Sequence, residues 1–208
     1  CFWRRNIQIK LRKLYKNIID GKFGLSRFSL LNSIMDHTLY HINGNILEIG
    51  LGETTIYTTE LSKKYNRKVY HCDYSKSLIE NLTNTSGYFC ENSIIYRGKS
   101  NDFFKEIKID SIVVAFIDGS HLYEDVKNDF YNTLKYLVKD GIIILHDTYP
   151  PTKEWIVSEK CGTVYKLRKE IEEDNCFDVF TFPFTSFNVG LTLVRKKENR
   201  EWEDEFKC

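Results

Sequence analysis

The spacing of apolar residues changes repeatedly along the chain, and each change marks the boundary of a predicted element. Short apolar runs of strand length, such as 111–117, alternate with segments whose apolar residues recur every three or four positions, which is helical spacing. The pattern predicts strands at 45–50, 68–73, 93–97, 111–118, 141–146, 177–182 and 187–195. It predicts helices at 54–66, 75–84, 100–107, 122–138 and 162–173.

The alternation of strands with helices determines the predicted fold class. Consecutive strands joined by helices form right-handed crossovers, which give a parallel sheet with helices on both faces. The last two predicted strands are joined only by the short segment 183–186, so they should form an antiparallel hairpin at one edge. The sequence therefore predicts an α/β, doubly wound, Rossmann-like sheet with seven mostly parallel strands.

The first 44 residues form a predicted helical extension before this sheet. One helical pattern runs from Ile7 to Ile18 and carries many basic residues, and a second runs from Phe28 to Ile42. The first helix could rest on a membrane surface or a partner, or pack on its own domain or on a second subunit in a homodimer. We expect one domain at 45–197, with the extension as part of the same unit and a charged tail at 198–208.

Composition excludes some classes of protein and leaves others open. The net charge is +1, with 42% hydrophobic and 28% charged residues, as in an ordinary soluble protein. No nucleic-acid partner is expected, since charge is balanced and there is no NPPY-type tetrapeptide for a flipped base. No apolar run approaches the roughly 18 residues of a transmembrane helix. The six scattered cysteines form no CxxC pair, and no signal peptide is visible, so we expect free thiols and a cytoplasmic location.

A glycine turn follows the first predicted strand of the sheet. Gly50 and Gly52 lie between this strand and a helix, at the edge where doubly wound sheets bind ligands. Asp73 ends the next strand, where a carboxylate can accept hydrogen bonds from ribose hydroxyls. Glu48 could meet a cationic ligand end or cap nearby amides. Thr55 stands where a dinucleotide motif has its third glycine, which disfavours an oxidoreductase.

A second group of polar residues follows two other predicted strands. Asp118 and His121 come after one strand, and His146 and Asp147 come after the other. If the strands are neighbours, these side chains share one crevice, which suits acid-base or metal chemistry. Asp118 and Asp147 are the predicted cation ligands and His121 the predicted general base. Alternatively, Asp118 caps the following helix, and His146 and Asp147 fix their loop without a metal.

The glycine turn, its preceding acid, Asp73 and the terminal hairpin together resemble the S-adenosylmethionine site of a class I methyltransferase. That resemblance implies that Glu48, Gly50, Gly52 and Asp73 line the cofactor, with Asp118 beside it. It also places Gly98, Ser100 and Phe103 near the adenine.

The segments "FIDGSHLYEDVKNDF", "GIIILHDT" and "GLTLVRK" resemble one methyltransferase family over about residues 45–195. This family includes the macrolide sugar O-methyltransferases and the cephalosporin hydroxylase-like proteins. Its DGSH motif implies Asp118 as a magnesium ligand and His121 as the base. The second metal motif is commonly Glu-Asp, whereas here it is His146 and Asp147. Because imidazole suits Mn²⁺, Fe²⁺ or Zn²⁺ better than Mg²⁺, the metal is left open.

The sequence therefore predicts an S-adenosylmethionine-dependent methyltransferase that O-methylates a small hydroxylated acceptor such as a sugar, with or without a divalent cation. The alternative is a non-catalytic binding or assembly module with the same fold. Asp125 and Asp129 are predicted on a solvated helix face, and His37, His41 and His71 in structural roles. Substrate binding and packing both remain open for three aromatic residues, Tyr123, Tyr149 and Trp155.

Overall fold

The computed structural model describes residues 27–85, 87–183 and 189–197, with side chains from Leu30 onward. The strands are β1 (Asn45–Ile49), β2 (Val69–Asp73), β3 (Ser93–Arg97), β4 (Ile112–Ile117), β5 (Leu137–His146), β6 (Phe177–Phe182) and β7 (Leu191–Lys196). The helices are α1 (Arg27–His41), α2 (Thr55–Tyr65), α3 (Lys76–Thr83), α4 (Ser100–Glu106), α5 (Tyr123–Leu134) and α6 (Val164–Glu173), with a 3₁₀ turn at Lys153–Trp155. None of these described helices has the length and apolar character that a bilayer span requires.

All seven strands form one sheet in the order β3-β2-β1-β4-β5-β7-β6. The first five strands pair in parallel, whereas β7 is antiparallel to both β5 and β6. The doubly wound fold and its antiparallel terminal hairpin are therefore confirmed. The second hairpin strand, β7, lies between β5 and β6, so β6 forms the edge.

The boundary between α5 and β5 differs from the prediction. The predicted helix extended to residue 138, but α5 ends at Leu134 and β5 begins at Leu137, which pairs with Ile112 of β4. A place beside a buried central strand outweighs the weak local preference of this segment for helix. The last strand also begins later than predicted, at Leu191.

The core has one layer on each face of the sheet. Helices α4, α5 and α6 cover one face, and α1 and α2 cover the other. On α1, the apolar side chains of Leu31, Met35 and Leu39 are at most 2% exposed. This apolar stripe is packed within its own domain and is not a free surface for a dimer. The predicted helix at 7–18 and the tail lie outside the described residues.

Strand register determines which residues meet at the carboxyl edge of the sheet. Ile49 at the end of β1 pairs with Ile117 of β4, and Ile117 pairs with Leu145 of β5. The residues that follow these three, Gly50, Asp118 and His146, are therefore neighbours. The predicted glycine turn and the predicted acid-base group thus share one edge, as the pattern of strand ends requires.

Candidate active site

Two glycines of the first turn have different environments. Gly50 has φ +85°, and a Cβ atom added to it would lie 2.1 Å from the carbonyl oxygen of Asp118. Only glycine combines that backbone conformation with so close a contact. A Cβ added to Gly52 would meet no atom within 4 Å. The turn therefore touches the second group of residues on one side and faces open space on the other.

Asp73 is anchored at the end of β2 by backbone amides. The N–H of Leu51 donates to its Oδ2 at 2.9 Å, and the N–H of Ser75 donates to its Oδ1 at 2.7 Å. Each carboxylate oxygen can accept a further hydrogen bond. The side chain is thus held next to the glycine turn with acceptor capacity for a ligand's hydroxyl groups.

Glu48 lies fully buried beneath the turn. Because Glu48 and His71 are register partners on β1 and β2, their side chains share one face of the sheet, with Oε2 2.9 Å from Nδ1. The Glu48 carboxylate also accepts hydrogen bonds from the hydroxyl groups of Thr54, Thr55 and Thr58. Glu48 therefore supports the start of α2, and His71 has the structural role predicted. A direct contact between Glu48 and a cofactor stays a prediction.

The turn after β3 carries two of the three residues predicted near the adenine, Gly98 and Ser100, whereas the third, Phe103, is 0% exposed in the hydrophobic core. The N–H of Gly98 donates to the carbonyl of Asp73 at 2.9 Å, and α4 begins at Ser100. Asp129 of α5 is only 2% exposed, so its predicted place on a solvated face is wrong. Burial raises the pKa of Asp129 to about 6, although the hydrogen bond from Ser100 opposes the shift.

The raised pKa of Asp129 predicts a pH-dependent cost to stability. The folded carboxyl titrates near pH 6 and the unfolded one near 3.8, so the cost is absent below both values and complete above about pH 7. Asp129→Asn should therefore raise the free energy of unfolding by about 2 kcal/mol near pH 8 and leave it unchanged near pH 4. Urea unfolding at both pH values measures this. The exposed Glu124→Gln on the same helix is the control, and equal effects at both pH values would contradict the prediction.

Two carboxylates and two imidazoles form one network at the ends of β4 and β5. The Nδ1 atom of His146 lies 2.8 Å from Oδ1 of Asp118 and 3.3 Å from Oδ1 of Asp147. The Nε2 atom of His121 lies 3.0 Å from Oδ2 of Asp147. All four predicted residues are therefore brought together. Asp118 does not cap α5, because that helix begins at Tyr123 without a side-chain cap.

A backbone carbonyl fixes the orientation of His121. Its Nδ1 atom lies 2.9 Å from the carbonyl oxygen of Ser158, which can only accept a hydrogen bond. Nδ1 therefore carries a proton, and Nε2 is the nitrogen that can exchange one or bind a cation. The role of Ser158 was missed, and residue type gives no signal for it because the contact uses the main chain, 37 positions away.

The charges in the network are mutually stabilising. Burial opposes a charge on His146, but Asp118 and Asp147 outweigh it and raise its pKa to about 9. Burial would likewise raise the pKa of Asp147, yet hydrogen bonds from His121 and His146 lower it to about 2. The hydrogen bond to Asp147 raises the pKa of His121 against the effect of burial. Near neutral pH the network therefore contains an ionised Asp147 and a protonated His146.

Asp147 has an uncommon backbone conformation. Its φ is +58°, in the left-handed region that few residues other than glycine, asparagine and aspartate adopt. The next residue, Thr148, is held by the hydroxyl of Thr192 at 2.7 Å and by Nε of Arg168 at 3.0 Å. Such conformations concentrate at functional sites, where surrounding contacts maintain them.

The donor atoms of the network fit a divalent cation. Asp118, His121 and Asp147 each offer one ligand atom, and these atoms lie within 4.8 Å of one another. Ligands around a cation at about 2.1 Å are spaced by about 3 to 4 Å, so this spacing suits one ion. Asp118 and Asp147 of this group are the two predicted carboxylate ligands, and their binding of a cation stays a prediction. His146, predicted as the third ligand, directs Nδ1 at both carboxylates.

The aromatic residues left open by the sequence have different environments. The hydroxyl of Tyr123 donates a hydrogen bond to Glu170 of α6. This side chain therefore links α5 to α6 in a packing role. Tyr149 is 42% exposed, with the Arg168 guanidinium 5.1 Å from its ring centre. Trp155 lies beneath the ammonium group of Lys160. Of the three, Tyr149 offers the most exposed ring surface adjoining the network.

A groove of about 460 Å³ lies away from this site, between the ends of α1 and α2 that precede β1 and β2. His37 and His41 line it, with ring centres 4.5 Å apart. The groove is open and lies toward the opposite edge of the sheet, so it does not belong to the candidate active site.

Comparison with known proteins finds one matching family model and several solved structures with a similar fold. Residues 47–148 match the family model described as "Methyltransferase domain". The fold is shared with the cofactor-bound Rv0187 from MTB, at 14% identity, TM-score 0.70 and coverage of 85% of this chain and 82% of that one. The O-methyltransferase NovP has 16% identity, TM-score 0.61 and coverage of 84% and 81%. The methyltransferase PaMTH1 from Podospora anserina, with S-adenosylhomocysteine bound, has 19% identity, TM-score 0.62 and coverage of 81% and 79%.

No curated protein sequence matches the chain. The sheet order and the glycine turn at its carboxyl edge define a class I methyltransferase fold. The similarity of residues 47–148 to the methyltransferase domain model agrees with this fold.

Proposed function

We propose that this chain is an S-adenosylmethionine-dependent O-methyltransferase that acts on a small hydroxylated molecule such as a sugar. One observation carries the proposal: the glycine turn packs directly on Asp118, with a Cβ added to Gly50 only 2.1 Å from its carbonyl oxygen. A methyl donor bound at the turn would therefore lie beside the acid-base network. Holding donor and acceptor close together in the right orientation is a major contribution to the rate of group transfer.

The cofactor would lie along the edge from β1 to β3. Gly52 offers open space for close approach, and Asp73 offers acceptors for the ribose hydroxyls. Gly98 and Ser100 form the next turn, where the adenine would bind, and Glu48 supports the turn from below. PaMTH1, a methyltransferase with the same fold, has S-adenosylhomocysteine bound.

His121 would act as the general base. The acceptor oxygen forms a bond to the methyl carbon, the carbon–sulfur bond breaks with its electron pair on sulfur, and the hydroxyl proton passes to Nε2 of His121. Ser158 orients the ring for this transfer, and Asp147 stabilises the imidazolium that forms. The sulfonium becomes a neutral thioether, so charge is balanced.

Asp118 and Asp147 would hold a divalent cation; the third donor atom grouped with them is Nε2 of His121, and His146 would serve instead only after losing the Nδ1 proton that faces Asp118. Such a cation, when bound, lowers the pKa of the acceptor hydroxyl and orients it. Since Nε2 of His121 cannot both bind a cation and accept a proton, its role as base assigns the third position to His146. An imidazole in this set favours Mn²⁺, Fe²⁺ or Zn²⁺ over Mg²⁺.

The fold does not identify the acceptor molecule, because solved structures of rRNA methylases have the same fold. The net charge of +1 does not provide the basic surface that phosphate recognition requires. NovP, an O-methyltransferase, has the same fold. A small hydroxylated acceptor therefore agrees best with the charge and with the network.

Titration calorimetry with S-adenosylhomocysteine tests the proposed function. The wild type should bind with micromolar affinity, and Asp73→Asn should weaken binding about 10-fold, because a ribose hydrogen bond to a charged group is worth about 1.5 kcal/mol. Repeating the titration of wild type and Asp118→Asn with Mn²⁺ or Mg²⁺ tests the cation. No binding by the wild type under any condition would overturn the proposal and favour a binding module.

A further inference from the structure

A chain of hydrogen bonds runs from β2 to the glycine turn through the buried side chain of Glu48. Nδ1 of His71 lies 2.9 Å from Oε2 of Glu48, and the hydroxyl of Thr55 donates to Oε1 at 3.3 Å. The same hydroxyl accepts a hydrogen bond from the N–H of Gly52 at 3.0 Å. The N–H of Thr55 also donates to the carbonyl of Gly52 at 3.2 Å. His71 is therefore connected to the backbone of the turn through Glu48 and Thr55.

The contacts of this chain have a fixed direction. A carboxylate only accepts hydrogen bonds, so Nδ1 of His71 and the hydroxyl of Thr55 both donate to Glu48. The hydroxyl proton of Thr55 is thus directed at Glu48, which leaves the oxygen lone pairs for the N–H of Gly52. The position of the Glu48 carboxylate therefore determines how the amide of the turn is held.

Packing gives no reason for a histidine at position 71. His71 and Glu48 are both 0% exposed, and among the described residues the Nε2 atom of His71 is buried without a hydrogen-bond partner. The imidazole also packs against Phe89, with ring centres 5.2 Å apart. An apolar side chain would pack here without leaving a buried nitrogen unpaired, which is unfavourable. What the imidazole adds at this position is the hydrogen bond that it donates to Glu48.

We propose that His71 is a positioning residue for the glycine turn, acting through Glu48 and Thr55. This inference rests on the proposed function. By donating to Oε2, His71 fixes the Glu48 carboxylate. The Thr55 hydroxyl, held by that carboxylate, then keeps the Gly52 amide in one orientation before the cofactor binds.

Gly52 is the turn residue beside open space, since a Cβ added to it would meet no atom of the described residues within 4 Å. A turn that is ordered in advance lowers the ordering cost of binding a ligand in that space. Affinity for the cofactor should therefore depend on His71, although its side chain is fully buried.

Titration calorimetry with S-adenosylhomocysteine tests the inference. His71→Leu removes the donor and should weaken binding about 10-fold, as expected for the loss of one hydrogen bond to a charged group. His71→Asn keeps an N–H donor close to the position of Nδ1 and should bind within about threefold of the wild type. Thr55→Val keeps the shape of the side chain without its hydroxyl and should weaken binding about 10-fold. The double variant His71→Leu/Thr55→Val should bind like the single ones, because both changes interrupt the same chain.

The control is Ser62→Ala, on the same helix as Thr55 but near its other end. The buried hydroxyl of Ser62 donates to the carbonyl of Arg67, away from the turn. This variant should have a lower free energy of unfolding and should bind S-adenosylhomocysteine like the wild type. Urea unfolding of each variant checks that it is folded at the temperature of the titration, and His71→Phe replaces His71→Leu if that variant does not fold.

Unchanged affinity in His71→Leu or in Thr55→Val would overturn the inference. Additive effects of these two changes, an equal loss in His71→Asn, or an equal loss in Ser62→Ala would overturn it as well and indicate a general structural role. Failure of the wild type to bind S-adenosylhomocysteine would instead refute the proposed function, so the two failures are distinguishable.

Discussion

Replacing His121 by alanine should lower kcat for methyl transfer by about 10² to 10⁴-fold, the usual contribution of a general base. The affinity for S-adenosylhomocysteine should change by less than about twofold. The reason is geometric, because Nε2 is the nitrogen left for proton transfer once Nδ1 is bound to Ser158. The measurement is transfer of label from methyl-labelled S-adenosylmethionine to an acceptor identified by screening hydroxylated compounds with the wild type.

His41→Ala is the matched control, because His41 is an exposed histidine of α1 near the opposite edge of the sheet. It should keep wild-type activity. If His121→Ala retains most of the wild-type rate, another group accepts the proton and the assignment is wrong. If cofactor affinity falls in parallel with the rate, His121 maintains the site and does not act as base.

The fold and the location of the site were predictable for one physical reason. Buried strands of an α/β sheet are short apolar runs, and parallel strands direct their carboxyl ends to one edge. Any polar residue directly after such a run lies at that edge. Gly50, Asp73, Asp118 and His146 all end or follow strands in this way, and register then determines which of them touch.

Features that depend on packing between elements were harder to predict. The extension of β5 to Leu137 depends on its pairing with Ile112, and the orientation of His121 depends on the main chain at Ser158. Asp129 was placed on the wrong face, although its spacing from the buried Val126 and Thr133 is helical and indicates the inner face. Its charge, which usually marks a solvated position, outweighed that signal.

Substitution of the two turn glycines by alanine should affect different properties, namely stability at Gly50 and ligand binding at Gly52. Gly50→Ala should lower the free energy of unfolding by about 3 kcal/mol or more, because a side chain at φ +85° is strained and its Cβ would overlap the Asp118 carbonyl. That carbonyl belongs to the backbone between β4 and α5, so it cannot move away as a flexible side chain would. Denaturant unfolding of the purified variant measures this loss.

Gly52→Ala tests ligand binding at the turn with little effect on folding. The added Cβ meets no protein atom within 4 Å, and Gly52 lies outside the left-handed region, so the free energy of unfolding should change by less than about 1 kcal/mol. The same Cβ enters the space where the cofactor would approach the turn, and binding of S-adenosylhomocysteine should weaken about 10-fold. Unchanged binding in Gly52→Ala would place the cofactor away from this turn. A large loss of stability in Gly52→Ala would mean that the open space is filled by the protein itself.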